Sequence, residues 1–333
     1  MPQRRLIAHA GTVLACAALL AAPALPGLAQ AASPVPAPAP APAAPLPEDL
    51  VLVGDNIVTV AINGVPLRFA VSGDAFGSPV INPEVAARLA LVSEGRRGWR
   101  FGPVTVMGDS ADVAADFGAG PVPLRVSWAD RPVTDKADGI IGIHPFPHKR
   151  VTFALRPAAE GETEVSFPLA RTGGTNDARI GTEVTIGKKR MMMLFVTERR
   201  ENLVTAPTAN FIATHQEGGF APGTDGIAVM DFAVERPTRM MRIAHPIELG
   251  PLLVERFAVR VEDYGQPTRV GEIAANDPRF EKDRILVSAR KGRGRPDLLT
   301  RIGSDQIAHC SRLTYDLERS EIRLSCAPQL RHE

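Results

Sequence analysis

Cysteine is scarce in this chain of 333 residues, which has only three, at positions 16, 310 and 326. The two downstream thiols and His309 leave a metal site short of ligands, so neither a metal nor another cofactor is expected. An excess of charge is lacking too: 38 Lys and Arg stand against 37 Asp and Glu, a formal +1. Such a balance supplies no long-range field, which excludes nucleic acid and anionic membrane surfaces as expected partners. Aromatics make up 5% of residues, and none interleaves the basic stretch Arg290-Lys291-Gly292-Arg293-Gly294-Arg295. That stretch therefore reads as a solvated loop rather than a base-stacking platform. The Ala/Leu-rich run from Leu6 to Leu28 is broken by Pro23, Pro26 and Gly27 and makes a poor spanning helix.

What is present begins with an export signal. Arg4 and Arg5 precede the apolar run, and Ala29-Gln30-Ala31 offers small residues at cleavage spacing. Residues 1–31 are thus expected to be removed, leaving a periplasmic or secreted chain with no transmembrane helix. Three variants stay open: a twin-arginine signal, a lipoprotein site at Val13-Leu14-Ala15-Cys16, and retention as an anchor. Residues 32–47, ASPVPAPAPAPAAPLP, form an Ala/Pro tract that favours extended polyproline backbone and reads as a spacer. In an oxidising compartment Cys310 and Cys326 are expected to form a disulfide, worth on the order of 3 kcal/mol by loop entropy.

Residues 58 to 91 carry the most organised local pattern. Val58, Val60 and Ile62 alternate with Thr59 and Ala61, Asn63-Gly64 makes a turn, and Leu67, Phe69 and Val71 resume the alternation. This predicts a hairpin with one buried face. A polar turn, Ser72-Gly73-Asp74-Ala75, follows; then come the apolar Val80-Ile81 and a helix capped and started by Asn82-Pro83. The pattern recurs near residue 180. Val184 and Ile186 lead through Gly187-Lys188-Lys189 into Met191 to Val196, then polar Thr197-Glu198-Arg199-Arg200, Leu203-Val204 and a helix opening at Pro207. Each unit has a distal partner, Gly139-Ile140-Ile141-Gly142 in the first half and Leu298 to Gly303 in the second. Small residues there suit a strand passing close to the polar loop. The chain thus looks duplicated, with domains at 48–172 and 178–330.

On these motifs, LRFAV before Ser72, Ala75-Phe76, INPEVAARLAL and ADGIIGI, the chain resembles the pepsin and retropepsin superfamily, most closely the bacterial exported aspartyl protease family proteins. The resemblance implies a mainly β, two-lobed acid-protease barrel fold with short helices and an extended polypeptide as partner. Members use two aspartates that share a proton and activate water. Here Ser72 and Thr197 occupy those two positions, which implies a catalytically inactive scaffold whose cleft, lined by Ser72, Gly73, Asp74, Thr197 and Glu198, binds polypeptide. The alternative is an active endopeptidase using Asp74 with a second carboxylate, Glu198 or Glu201. Gly102 to Val126 is the expected covering segment.

Other candidates have plainer readings. His144 and His148 lie among prolines in IHPFPHK, where a metal-binding helix cannot form. Met191 and Met193 fall on one strand face beside Phe195 and are expected to fill core rather than hold copper. Ser72 lacks a G-x-S-x-G elbow and any His partner visible in the sequence.

Overall fold

Asn63 and Gly64 take positive φ, 50° and 79°, and close the first hairpin with Ile62 opposite Val65. In the second, Gly187 takes φ 58° at the first central position, with Ile186 opposite Lys189. Both turns thus match the right-handed twist of their strands. The computed structural model describes residues 46–173, 178–262 and 298–328. The expected signal, nearly all of the Ala/Pro spacer and the basic run 290–295 lie outside the described residues.

The first half supplies β1 (Asp49–Val53), β2 (Ile57–Ile62), β3 (Val65–Val71), β4 (Val80–Ile81), α1 (Pro83–Arg88), β5 (Gly95–Phe101), β6 (Val104–Asp116), β7 (Pro121–Ala129), β8 (Gly139–Ile141), β9 (Arg150–Ala154) and β10 (Thr163–Pro168). The second supplies β11 (Ala170–Thr172), β12 (Arg179–Ile186), β13 (Lys189–Val196), β14 (Leu203–Thr205), α2 (Ala206–Gln216), β15 (Gly218–Met230), β16 (Val234–Leu249), β17 (Leu252–Arg260), β18 (Leu299–Gly303), β19 (Cys310–Asp316) and β20 (Glu321–Cys326). The chain is mainly β.

One sheet runs β2-β3-β8-β4-β7-β6-β5 and another β11-β12-β13-β18-β14-β17-β16-β15. Setting β11 aside, the two orders correspond strand for strand. The sense of pairing corresponds as well: antiparallel, parallel, antiparallel, parallel, antiparallel, antiparallel in each. The repeat read from two hairpins therefore extends through both sheets.

A third sheet, β1-β9-β19-β20-β10, mixes strands from before and after the expected division at 172/178. A cut there runs through a shared sheet rather than between two separate ones. Its β19 and β20 are joined by the Cys310–Cys326 disulfide across directly paired residues. Beneath lies a continuous core in which Phe69 and Phe153 meet Phe195, Phe257 and Tyr315, each at most 1% exposed. Strand β13 is buried along Met191 to Val196 on both faces, as a central strand must be, with Met191 and Met193 in that core.

Two local details differ from the sequence reading. Helix α1 begins at Pro83 as expected, but the Asn82 side chain does not cap it. Instead it donates to the carbonyls of Thr134 and Ala137, at 2.9 and 3.0 Å, and accepts from the N–H of Val133 at 2.9 Å. Asn82 thus braces a neighbouring loop, satisfying the buried N–H of Val133 and the half-buried carbonyls of Thr134 and Ala137. The second difference is the covering segment. No residue of 102–126 lines the central groove described below; the loop 131–136 does.

Candidate functional site

Strands β3 and β13 end at Val71 and Val196, so Ser72 and Thr197 are the first residues beyond two equivalent strand ends. Each following loop rests on a distal glycine, as the spacing predicts. A Cβ on Gly142 would come within 2.8 Å of the Phe76 carbonyl oxygen, and one on Gly303 within 2.2 Å of the Arg200 carbonyl oxygen. Only glycine lets the loops lie directly on β8 and β18. The first loop also abuts the second half, where a Cβ on Gly73 would lie 1.9 Å from the carbonyl oxygen of Phe195.

The two loops meet on the floor of a groove of about 1080 Å³. Its lining includes Ser72, Asp74, Glu198, Arg199 and Asp231. Across the junction, the hydroxyl of Ser72 donates a hydrogen bond to Oε1 of Glu198. The Ser72 hydroxyl oxygen in turn accepts from the N–H of Asp74 at 3.1 Å. Thr197 stands to the side: its hydroxyl approaches Oε2 of Glu198 at 3.4 Å and accepts from Nδ2 of Asn56 at 3.3 Å. The group facing Ser72 is therefore Glu198, one residue beyond the position the strand-end count selects.

Asp74 is held elsewhere. Its Oδ2 accepts from Nε of Arg301 on β18, while Arg179 at the start of β12 approaches Oδ1 at 3.4 Å and donates to the Asp74 carbonyl at 3.1 Å. The Arg179 guanidinium lies over the Phe76 ring, 4.1 Å from its centroid. Burial alone would push the Asp74 carboxyl upward; the charges of Arg301, Arg179 and Arg199 outweigh it and hold it below the usual carboxylate range. Asp74 thus serves as the anion of a cross-half ion pair. Among the described residues, no two of the carboxyl groups of Asp74, Glu198 and Asp231 hydrogen-bond each other.

Glu198 and Asp231 shift the other way. Crowding by the groove walls pushes Glu198 up, although its side chain still meets solvent; the Ser72 hydrogen bond opposes that shift and the Asp74 charge adds to it. Burial first, then the charge of Asp74, pushes Asp231 up to about 7. Asp231 opens the three-residue tip Asp231–Ala233 joining β15 to β16, where Phe232 and Ala233 both have positive φ, 61° and 52°. Phe232 seats against the first half, 4.7 Å from the Trp99 ring and 6.3 Å from that of Phe101. That seat holds two residues in a conformation that non-glycine residues adopt only at a cost.

The raised Asp231 has a pH consequence with a definite sign. Its folded value lies above the unfolded one, so the protonated side chain contributes stability that is fully present below about pH 4 and is lost as pH rises toward 7. Asp231→Asn is therefore expected to leave the melting temperature at pH 4 nearly unchanged. At pH 8 it should raise stability by roughly 2–4 kcal/mol after solvent screening. Equal effects at both pH values would show that Asp231 is not titrating where this geometry places it.

Of Ser72, Gly73, Asp74, Thr197 and Glu198, named from the sequence, Ser72, Asp74 and Glu198 line the groove, while Gly73 packs on the Phe195 carbonyl and Thr197 stands to the side. Sequence reasoning missed Arg179, Arg301, Arg199 and Asp231. Arg301 had a legible signal, a lone charge in the otherwise uncharged LTRIG of a strand expected to be buried. Elsewhere, His144 bonds Arg171 through Nδ1 at 3.2 Å, and His148 packs edge-on to Phe146. No helix among the described residues is long and apolar enough to cross a membrane.

Comparison with known proteins adds little. No family model matches the chain, and no curated protein does. Among solved structures it is similar to an EIAV protease complexed with the inhibitor HBY-793. That match has 22% identity, covers 26% of this chain and 79% of that one, and has a TM-score of 0.19.

Proposed function

We propose that this is an exported protein with a two-lobed, acid-protease-like β scaffold whose groove binds an extended polypeptide and does not split it by the two-carboxylate route. The observation that carries this is the fate of Asp74, engaged by Arg301 and Arg179 instead of sharing a proton with a second acid. A base for water must exchange that proton in each cycle, and a carboxylate held below its usual range between two guanidinium groups is poorly suited to do so. The apparent duplication, the disulfide and the N-terminal export signal support the remainder of the reading.

Strand β15 supports the mode of binding. Among the described residues it is the outermost strand of its sheet, and Ile227 and Val229, which line the groove, are 66% and 55% exposed. Ile227 stands opposite Pro237, which has no N–H to give and whose carbonyl accepts from Val261 on the far side. The backbone groups of Ile227 therefore face the open edge, where an extended chain can add as a further strand. Binding of an arrayed peptide set to the mature protein is expected, with affinity falling at least about tenfold in Ile227→Pro, which removes the edge donor. Casein turnover between pH 3 and 7 that disappears in Asp74→Asn would instead establish the endopeptidase alternative.

A further inference from the structure

We infer that Ser72 and Glu198 form a nucleophile and general-base pair for acyl transfer, taking a peptide or ester carbonyl presented in the groove. The chemistry differs from that of two aspartates, and it arises from the contact between the halves rather than from either loop alone. Three observations carry it. Ser72 already donates its proton to a carboxylate oxygen, so no rearrangement is needed to form the pair. Glu198 is in turn flanked by a third group, since Thr197 contacts its other oxygen and is itself bonded by Asn56. Both Ser72 and Glu198 line the groove, which is large enough for a chain to reach them.

Nucleophile, base and orienting group are the three roles that acyl-transfer sites require, and they are recognised by geometry and not by sequence order. The upward push on Glu198 strengthens it as a base. Asp74 contributes a backbone N–H at the serine oxygen and Arg199 a guanidinium on the same groove wall. These are the donors at hand for charge that develops on a carbonyl oxygen.

The step balances within these residues and water. The Ser72 oxygen bonds to the carbonyl carbon while its proton passes to the Glu198 carboxylate. The carbon–nitrogen or carbon–oxygen bond to the leaving group breaks, and Glu198 returns the proton to the departing amine or alcohol. Water then attacks the acyl-serine, Glu198 takes its proton, and the Ser72 oxygen regains it as the acid leaves. No metal, oxidant or cofactor enters.

The test uses an activated ester, p-nitrophenyl acetate, on the mature protein, followed by intact mass and peptide mapping. One acetyl group on Ser72 is expected. It should be absent in Ser72→Ala and formed about a hundredfold or more slowly in Glu198→Gln, with a wild-type rate that falls as pH drops and Glu198 protonates. A wild-type protein that neither carries the adduct nor releases p-nitrophenol faster than Ser72→Ala, an adduct mapped to another residue, or a rate unchanged in Glu198→Gln would each overturn the inference. Mapping on the wild type decides the matter even where a variant fails to fold. Acylation by a small ester does not depend on peptide affinity, so a protein that binds no peptide yet labels at Ser72 would sink the binding proposal alone.

Discussion

Gly73→Ala is expected to lower the melting temperature by roughly 5 °C or more, or to leave the protein unfolded. The added carbon would sit 1.9 Å from the Phe195 carbonyl oxygen and 3.1 Å from the Tyr315 hydroxyl. Neither neighbour can step aside cheaply. Phe195 lies in β13, where it pairs with Ile302 of β18 and is 1% exposed, and Tyr315 is wholly buried. Relief must come from separating the two halves at the junction, and overpacking against backbone costs about 3 kcal/mol or more. For a domain of this size that corresponds to the stated shift. Gly219→Ala is the control, because its Cβ would meet nothing within 4 Å and its φ is not positive. Thermal melts of the two variants at one pH provide the comparison. A Gly73→Ala protein melting like Gly219→Ala would mean that the halves do not meet where this structure joins them.

Arg301→Met carries the second large effect. Arg301 is 6% exposed and pairs with Asp74, so its removal leaves an enclosed carboxylate answered by the more distant Arg179 and by the charge of Arg199. Breaking a buried pair from one side costs about 3–5 kcal/mol. The double variant Asp74→Asn with Arg301→Met is expected to recover most of that loss, because the penalty belongs to the orphaned charge and not to the missing bond. The sign of the pH dependence follows from the lowered carboxyl. Its folded value lies below the unfolded one, so the ion pair's contribution is present above about pH 4 and disappears as pH falls through the folded value. Urea midpoints at pH 7 should therefore separate wild type from Arg301→Met widely, and those near pH 2 much less. Double-variant stability no better than Arg301→Met alone would remove the ion pair from this account.

Both effects arise where the halves touch, which is also where sequence reading was least complete. The hairpins were legible because alternation and turn chemistry are local: Asn63-Gly64 and Gly187 fix their turns whatever surrounds them. Gly142 and Gly303 were legible for a related reason, since an apolar strand ending in glycine advertises a close approach. Asn82 was read as a cap because the residue before Pro83 suits one, and nothing nearby in sequence shows that the backbone at 133–137 takes its amide instead. The covering segment was placed at 102–126 on turn-rich composition, a property that says nothing about direction.

By itself the sequence determined the β character of the chain, its repeated hairpin-loop-helix unit, the cysteine pair, and the fact that polar loops follow two equivalent strand ends. Only the tertiary structure decided that Ser72 faces Glu198, that Asp74 is answered by Arg301 and Arg179, and that Asp231 joins them at the groove. A strand's period and a turn's dihedral angles are set by residues a few positions apart. Ser72 and Glu198 are separated by 126 positions, and Asp74 and Arg301 by 227. Which of these charges and hydroxyls meet is fixed by how two sheets pack, and packing carries a side chain across the junction with no trace in the residues beside it.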